Sequence, residues 1–471
     1  MNNNVCYEKL ESVCTLITDG SHFSPKSIPT GYPMLSVKDM RFNGFDYSEC
    51  NHISKQDFEI LKKNGCVPIK NDVLIAKDGS YLKEIFVVDE NKEEAILSSI
   101  GILRPNMKKI NPYFLKYYLS TDYIKRQVGR KYVTGSALPR IILKNFKDID
   151  IPQIPLDYQE KIVNLLRCID LKIINNNKIN LQLESLAKTL YDYWFLQFEF
   201  PNEEGKPYKS SGGKMVYNEQ LKKEIPEGWE VKELLSFSYW ESASQPPKSE
   251  FIYRQQEGYV RFVQNRDYES DANITYVPLR KHTKLCDEYD ILIDKYGDKT
   301  SGTVRYGLNG AYNVALGKLT PTIKNSQEYI RYYLSTKNMF DYLHNACMAS
   351  TRSSMNETVF KGIFVPIPIN IVLENFEKFS KKIIDKKLSL KKENKELISL
   401  RDFLLPLLMN GQVTIQDAEV QVKNTISNVW NAEKLLRFAQ WKQIQGYAAR
   451  GEVDEETLMK IFDAMDKDAK K

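Results

Sequence analysis

The sequence predicts an α+β protein with two mixed α/β domains in tandem, separated by an antiparallel coiled coil of two long helices and followed by a short helical C-terminal tail. Two observations lead to this prediction: part of the chain occurs twice, and each copy ends in a long segment with apolar residues at helical spacing. The length of 471 residues also exceeds that at which one hydrophobic core stops growing. We therefore expect more than one domain.

The duplication is identified by short sequences that recur at a nearly constant distance. Tyr117–Thr121 and Tyr332–Thr336 both have the sequence YYLST, at an offset of 215 (332 − 117). Asn71–Gly79 corresponds to Tyr289–Gly297 at an offset of 218 (289 − 71). Recurrence at a nearly fixed period indicates a duplicated structural unit.

Two segments have the apolar spacing of long amphipathic helices. In residues 156–200 apolar residues recur every three or four positions, which places them on one face of a helix. In residues 369–411 apolar residues follow each other at intervals of seven, the spacing of a coiled-coil seam. These residues are Ile383, Leu390, Leu397 and Leu404. Because each helix has one apolar edge, we expect the two helices to pack together.

The predicted parts follow in a definite order along the chain. Short β-like runs separated by Gly, Asn, Asp and Pro predict a mixed domain before the first helix, and a connector rich in Lys, Glu, Gly and Ser precedes the second domain. The parts are a first domain at residues 1–155, the first long helix at 156–200, the connector at 201–224, a second domain at 225–368, the second long helix at 369–411 and the tail at 412–471. Within the tail, residues 429–448 and 455–464 have amphipathic spacing.

Composition and charge restrict the function classes. The net charge of +6, from 67 Lys and Arg against 61 Asp and Glu, permits nucleic-acid binding without requiring it. No run of eighteen apolar residues occurs and the N-terminus lacks the features of a signal peptide, so we expect a cytoplasmic protein. The seven cysteines include no Cys-x-x-Cys pair and the four histidines have no metal-ligand spacing, so we expect no metal site.

Four phrases are similar to those of one known family. They are the Ile- and Pro-rich run at residues 151–162, the segment 186–198 that contains YWF, the phrase DGSHFSP at residues 19–25 and the phrase IPEGWEV at residues 225–231. On these phrases, the chain from Val5 to Ile415 resembles the DNA specificity subunit of type I restriction-modification systems. The resemblance does not cover the tail.

The resemblance implies a sequence-specific DNA-binding subunit with two target recognition domains, one for each half of a bipartite asymmetric target. It also implies partners, namely double-stranded DNA, two adenine methyltransferase subunits that bind S-adenosylmethionine, and restriction subunits that use ATP and Mg. We expect these cofactors on the partner subunits and none in this chain.

Motifs of catalysis are incomplete in this sequence. The phrase SQPPK at Ser244–Lys248 lacks the aromatic residue that would stack a flipped base in a DNA methyltransferase. Gly297–Thr300 lacks the glycines of a phosphate-binding loop. We therefore expect a non-catalytic specificity subunit. A single-chain DNA methyltransferase or nuclease, and a protein scaffold that does not bind DNA, remain as alternatives.

Candidate DNA-binding residues of the first domain lie in two loops. The loops combine glycine with basic, hydroxyl and aromatic side chains, which suits contacts to phosphates and base edges. The candidates are Lys77, Gly79, Ser80 and Tyr81 in the first loop and Arg130, Lys131, Ser136 and Arg140 in the second. An ordinary tight turn remains the alternative for the first loop.

In the second domain, one predicted strand ends in three polar side chains whose hydrogen-bonding groups match adenine and guanine edges. They are Gln264, Asn265 and Arg266, and a plain polar strand end is the alternative. Further candidates are Lys295, Tyr296, Lys299, Arg305, Tyr306 and Arg352.

The end of the first long helix carries more aromatic surface than a two-helix seam can bury. Because aromatic clusters are enriched at subunit interfaces, Tyr191, Tyr193, Trp194 and Phe195 are predicted to bind a partner subunit. Burial against the neighbouring recognition domain is the alternative.

Overall fold

The computed structural model describes residues 6–79, 82–131, 133–134, 140–269, 271, 273–348, 355–409 and 413–427. It consists of two compact units. Unit 1 comprises residues 1–175 and 393–429, and unit 2 comprises residues 176–392 and 430–471. Each unit therefore contains one segment of each long helix, whereas the predicted boundaries place both helices outside the two domains.

Unit 1 combines short strands with a four-stranded antiparallel sheet at its centre. Its strands are β1 (Tyr7–Lys9), β2 (Cys14–Asp19), β3 (Tyr32–Leu35), β4 (Met40–Arg41), β5 (Gly44–Phe45), β6 (Asn51–Ile53), β7 (Val73–Ala76), β8 (Ile85–Val87), β9 (Ala95–Ile96), β10 (Ile100–Pro105), β11 (Val133–Thr134), β12 (Arg140–Ile141) and β13 (Asp150–Pro152). The central sheet has the order β2-β10-β7-β8, and a second sheet has the order β6-β3-β9. All four residues of β7 are buried, as expected for a central strand with the sequence VLIA.

The helices of unit 1 range from single turns to one helix of 36 residues. They are α1 (Leu10–Val13), α2 (Lys55–Lys63), α3 (Pro112–Ser120), α4 (Asp122–Lys131), α5 (Leu143–Phe146) and the first part of α6 (Leu156–Tyr191). Asn111 begins α3 because its side chain accepts the backbone N–H of Tyr113 at 2.9 Å, and Pro112 occupies the first helical position.

Unit 2 repeats this arrangement with different side chains. Its strands are β14 (Met215–Asn218), β15 (Lys223–Pro226), β16 (Glu230–Glu233), β17 (Ser238–Ser242), β18 (Tyr259–Val263), β19 (Thr275–Pro278), β20 (Leu285–Cys286), β21 (Ile291–Asp294), β22 (Val304–Arg305), β23 (Gly310–Tyr312), β24 (Leu316–Pro321) and β25 (Phe364–Ile367). Its helices are α7 (Gln327–Leu334), α8 (Lys337–Met348) and most of α9 (Asn370–Met409).

The sheet orders of the two units correspond strand by strand. The order β17-β24-β21-β22 in unit 2 matches β2-β10-β7-β8 in unit 1, and β16-β25 matches β1-β13. In the other large sheet, β18 pairs with β19 antiparallel and with β23 parallel, as β3 does with β6 and β9. The predicted duplication and the predicted mixture of helix and sheet with long helices are therefore confirmed.

Helix α6 is continuous through Asn175, Asn176 and Asn177. Asparagine is a poor helix former, but packing of the apolar face overrides such local preferences. The helix ends at Tyr191, earlier than the predicted residue 200, and a π-helical turn at Asp192–Leu196 follows.

In unit 1 the segments of α6 and α9 run antiparallel. Asp170 lies 3.0 Å from Arg401, and Lys172 lies 3.1 Å from Glu393. The residue later in α6 is thus paired with the residue earlier in α9, which shows that the two segments run in opposite directions. The seam residues Leu397 and Leu404 are fully buried in the core of this unit, where they share a hydrophobic cluster with Ile162, Leu166 and Ile169.

In unit 2 the other segments of the same helices also run antiparallel. Glu184 contacts Lys387, and the rings of Phe195 and Phe376 lie 4.8 Å apart. Ile383 and Leu390, the remaining residues of the predicted seam, are buried in the core of this unit.

The connector contains more structure than the sequence predicts, and the described part of the tail is helical as predicted. The connector was predicted to be a loop, but β14 pairs with β15 and the rings of Phe200 and Tyr208 stack at 4.6 Å, so aromatic packing folds it into a hairpin. In the tail, α10 (Ile415–Ser427) buries Ala418 and Val422 in the core of unit 1. The amphipathic segments predicted at 429–448 and 455–464 lie outside the described residues.

A buried carboxylate joins the helices of unit 1. Asp170 accepts hydrogen bonds from Lys116 at 2.8 Å and Tyr117 at 2.7 Å, and its other oxygen accepts one from Arg401 at 3.0 Å. Burial by itself would raise the pKa of Asp170, but Lys116 and Arg401 together lower it. Burial lowers the pKa of Lys116, although Asp170 opposes this effect. The carboxylate therefore compensates the buried Lys116, which has no other acidic partner among the described residues, and shares the half-buried Arg401 with Asp402.

We predict that Asp170→Ala lowers the free energy of unfolding by about 3–5 kcal/mol, because it leaves Lys116 and Arg401 without their buried partner. Urea unfolding followed by far-UV circular dichroism measures this loss, since residues 1–175 and 393–429 contain no tryptophan. The matched control is Asp402→Ala, which removes a second, largely exposed partner of Arg401 and is expected to cost about 0–1 kcal/mol. Equal small losses for both variants would contradict the structural role of Asp170.

Because the pKa of Asp170 is lowered, its contribution is present at neutral pH and disappears as the pH falls below about 4.

We also predict a pH effect at Lys387 in unit 2. Burial, together with the positive charge of Lys391, lowers the pKa of Lys387 to about 8, although the carboxylate of Glu184, whose side chain is 51% exposed, contacts the ammonium. Since an unfolded lysine retains a pKa of about 10.4, the unfolded chain binds more protons between these values, and stability contributed by this group rises with pH there.

Lys387→Met is therefore expected to be more stable than the wild type at pH 7, by up to about 2 kcal/mol, with the difference shrinking towards pH 9.5. Tryptophan fluorescence during urea unfolding reports on unit 2, because none of the five tryptophans lies in unit 1 and Trp194, Trp229 and Trp240 lie in the described part of unit 2. Lys378→Met, which removes an exposed charge from the same helix, is the control. If the difference in the free energy of unfolding between Lys387→Met and the wild type does not change with pH, the lowered pKa of Lys387 is wrong.

Candidate nucleic-acid interface

Each unit carries a turn directly after the central strand of its four-stranded sheet. Lys77, Asp78 and Gly79 follow β7, and Lys295-Tyr296-Gly297 follows β21. Gly79 has φ 71° and Gly297 has φ 120°, backbone conformations that favour glycine. The turns place the predicted loop residues of both domains at equivalent positions.

Lys77 is buried and its charge is used within unit 1. Its side chain is 5% exposed, and its ammonium contacts the carboxylate of Asp19 at the end of β2. The backbone carbonyl of Lys77 accepts the N–H of Ile141 at 3.0 Å. The prediction that Lys77 contacts DNA is corrected, because a buried lysine must be compensated and Asp19 already does this.

The other candidates of unit 1 are distributed over two segments. Arg140 donates two hydrogen bonds to Asp78, at 2.8 and 2.7 Å, but its side chain remains 56% exposed. Arg130 and Lys131 are exposed in the last turn of α4, and neither forms an ion pair within the described part of the chain. Ser80, Tyr81 and Ser136 lie outside the described residues.

In unit 2, the three polar residues after β18 have different environments. The backbone N–H of Gln264 donates to Asp267 at 3.1 Å, and the Gln264 side chain donates to Thr275 at 3.4 Å. The side chain of Asn265 hydrogen-bonds the carboxylate of Asp294. Gln264 and Asn265 are half-buried, whereas Arg266 is exposed, to 56% of its side chain.

The candidates around β21 and β22 separate into buried and exposed groups. Arg305 lies 3.0 Å from Asp294, whose pKa is raised by burial although Arg305 opposes the rise. Tyr306 contacts Lys387, and burial raises its pKa to about 12. Arg305 and Tyr306 are thus half-buried and engaged in contacts within unit 2, and their role as DNA ligands stays a prediction.

Three further candidates of unit 2 remain near the surface turn. Tyr296 is 40% exposed, and Lys299 is exposed. Lys295 is buried at 8% exposure, and its ammonium donates to the hydroxyl of Ser242 at 3.1 Å. Arg352 lies outside the described residues.

The aromatic cluster after α6 packs inside unit 2. Tyr191, Trp194 and Phe195 are 2%, 5% and 3% exposed, and the ring of Phe195 lies 4.6 Å from that of Tyr329. Tyr193 is partly buried against the same core. The prediction of a partner surface is therefore corrected for the three buried residues, since the recognition domain covers the aromatic area that the two-helix seam leaves open.

Lys38 is the counterpart of Arg266 in unit 1, although it is not among the candidates predicted from the sequence. Ser36 and Asp39 cap a short 3-10 helix after β3, with a 2.8 Å bond from the Ser36 N–H to the Asp39 carboxylate. Gln264 and Asp267 form the same capping box after β18. Lys38 and Arg266 occupy the same helical position and both are exposed. The signal was present, since SVKD and QNRD each place the capping Asp three residues after the cap.

Another missed contact tethers the turn of unit 2. Ser301 is fully buried, and its hydroxyl lies 2.8 Å from the Nδ1 atom of His344 in α8. The two residues are 43 positions apart, and nothing in the sequence links them. The contact fixes the segment that carries Tyr296 and Lys299.

Neither a metal-binding group nor a membrane-spanning helix is found among the described residues. No group of three or more His, Cys, Asp or Glu side chains there is arranged to hold a metal ion. No described helix is long and apolar enough to cross a membrane.

Comparison with known proteins identifies one family. The model of the type I restriction modification DNA specificity domain matches residues 4–185 and again residues 226–400. The putative type I restriction enzyme MjaX specificity subunit of Methanocaldococcus jannaschii is 25% identical over 430 residues, which cover 87% of this chain and 93% of the relative. The MjaIX specificity subunit of the same organism is 27% identical over 315 residues, covering 65% of this chain and 69% of the relative.

A solved structure has the same fold. The crystal structure of the type I restriction-modification system S subunit from M. genitalium aligns with a TM-score of 0.51 at 16% identity, covering 87% of this chain and 97% of that chain. The family model matches most of both units and more than half of the chain. The chain therefore belongs to the family of type I restriction-modification specificity subunits.

Proposed function

We propose that this chain recognises a bipartite, asymmetric DNA target and that each unit reads one half of it. The observation that carries the proposal is the double match of the DNA specificity model, once in each half of the chain. Two readers with one scaffold but different side chains suit a target with two unlike halves.

Side chains at equivalent positions differ between the units, although Asp78 is half-buried and paired with Arg140. Lys38 in unit 1 corresponds to Arg266 in unit 2, and Asp78 corresponds to Tyr296 in the turns after β7 and β21. An arginine can bond two acceptors of one guanine, whereas a lysine acts as a compact charge with rotatable donors. The same scaffold thus presents different donors to the two half-sites.

In this proposal α6 and α9 act together as a spacer, an antiparallel coiled coil that sets the distance between the two half-sites. A helix of 36 residues is about 54 Å long at about 1.5 Å per residue, and one turn of DNA spans about 34–36 Å. The antiparallel contacts found within each unit support the pairing, and the length suits two half-sites separated by unread base pairs.

The chain also serves as a docking frame for two adenine methyltransferase subunits and for restriction subunits. S-adenosylmethionine, ATP and Mg bind to those partners, and the specificity subunit contributes no catalytic group. Membership of the family and the incomplete catalytic motifs in the sequence support this division of labour. The alternatives of a single-chain methyltransferase or nuclease, and of a scaffold without DNA binding, predict different results in the second experiment below.

Substitution of the exposed basic residue in one unit is expected to alter one half of the target. We predict that Arg266→Ala changes the bases required in one half-site and Lys38→Ala those in the other, because each removes donors from one unit only. The measurement is sequencing of modified adenines in cells that express each variant with its methyltransferase. Lys281→Ala, an exposed lysine of unit 2 outside the candidate interface, is the control and leaves the motif unchanged. A variant that changes both halves alike would show that the units do not read independently.

The absence of catalysis is tested with the purified chain. We expect no methyl transfer from labelled S-adenosylmethionine to DNA by the chain alone, and transfer once the methyltransferase subunits are added. Transfer by the chain alone would establish the single-chain enzyme instead. The scaffold alternative predicts no DNA retention at low salt, whereas our proposal predicts retention that weakens as salt is added.

A further inference from the structure

Both units bury a lysine directly after the central strand of the four-stranded sheet. Lys77 follows β7 and Lys295 follows β21, and they are 4% and 8% exposed. Their backbones are held alike: the N–H of Lys77 donates to Ser99 at 2.9 Å, and that of Lys295 donates to Ala315 at 2.8 Å. The two lysines are therefore structural equivalents.

The side-chain partners of these lysines differ in charge. Lys77 contacts the carboxylate of Asp19, the last residue of β2, whereas Lys295 contacts the hydroxyl of Ser242, the last residue of β17. Asp19 lies opposite Gly101 in its sheet, and Ser242 lies opposite Gly317 at the corresponding register. One position thus carries the counter-charge in unit 1 and a neutral group in unit 2.

The nearby carboxylates of unit 2 do not compensate Lys295. Asp294 is paired with Arg305 at 3.0 Å, and Glu241 is paired with Lys284 at 2.6 Å. Lys295 forms no ion pair with any residue for which the structure gives a position. An ammonium has three donors and is costly to bury without an opposite charge, so this site favours an anion.

The ammonium of Lys295 lies close to the surface. Ser242, which holds it, is exposed, and so are Tyr296 and Lys299 on the adjoining turn. Gly297 in the same turn is exposed as well and adds no side chain that would block an approaching ligand. An anion at the hydroxyl of Ser242 would thus meet the buried ammonium of Lys295.

We propose that Lys295 binds a backbone phosphate of the half-site held by unit 2, and that Lys77, neutralised by Asp19, makes no such contact in unit 1. The inference rests on the proposed function, because the phosphate is that of the DNA target. Phosphate contacts add affinity that depends on salt and not on base sequence. Unit 2 therefore contributes one phosphate contact that unit 1 lacks.

The experiment measures how DNA binding by the full chain depends on salt. Fluorescence anisotropy with a labelled duplex of about 40 base pairs gives the binding constant between about 0.05 and 0.3 M NaCl, and the logarithmic slope counts phosphate contacts. Lys295→Met and Ser242→Asp are each expected to reduce the magnitude of the slope by about 0.9 and to weaken binding about five- to tenfold at about 0.1 M salt. Ser242→Asp keeps the lysine and supplies the counter-charge that unit 1 already has.

Two further variants separate charge from shape. Ser242→Asn has nearly the size of Ser242→Asp without its charge, so the difference between them isolates the carboxylate. Asp19→Ser gives unit 1 the partner found in unit 2, and we expect it to increase the slope magnitude by about 0.9. Circular dichroism checks that each variant is folded.

The outcomes distinguish this inference from the proposed function. If the wild type binds the duplex but Ser242→Asp keeps its slope, or Ser242→Asn lowers the slope equally, the phosphate site is wrong while DNA recognition stands. If the wild-type chain does not retain DNA even at low salt, both the site and the proposed function fail.

Discussion

Asp170 is buried between two cations that come from distant parts of the chain, Lys116 in α3 and Arg401 in α9. Neither cation is stable in a core without a counter-charge, so the carboxylate requires all three segments to be present together. The recognition fold of unit 1 consequently depends on a segment that follows residue 392, on the far side of the second copy in sequence. This dependence explains why the units divide the long helices between them.

The requirement that a buried cation has a counter-charge also determines which basic residues remain available for DNA. A cation in the interior must be compensated within the fold, so the buried Lys77 is paired with Asp19, and the half-buried Arg305 is paired with Asp294. Exposed cations such as Lys38 and Arg266 need no counter-charge within the fold, because water solvates them until a ligand displaces that water. Composition alone overestimates a binding surface for this reason: several of its basic residues are structural.

The sequence predicted features that depend on local periodicity better than those that depend on distant partners. The seam residues Ile383 and Leu404 are fully buried, since heptad spacing fixes one helical face. By contrast, the burial of Lys77 depends on Asp19, which lies 58 residues earlier, and no local pattern joins them. The hairpin β14–β15 was not predicted, because the polar composition of the connector indicates a loop and does not reveal that Phe200 packs against Tyr208.

A duplicated chain provides its own comparison for such distant effects. Two equivalent positions in the sheets of the two copies have the same backbone arrangement. If their side chains differ, the effect of that side-chain difference can be judged by itself. Most differences between the copies alter several neighbours together, but at Asp19 and Ser242 the lysine, its strand and the opposing glycine are all retained. The absence of a counter-charge has a cost that the fold of unit 2 does not offset within its own described residues, and a ligand that carries a negative charge can offset it. The copy without the internal partner can therefore offer a ligand contact that the other copy does not, although both have a lysine at this position.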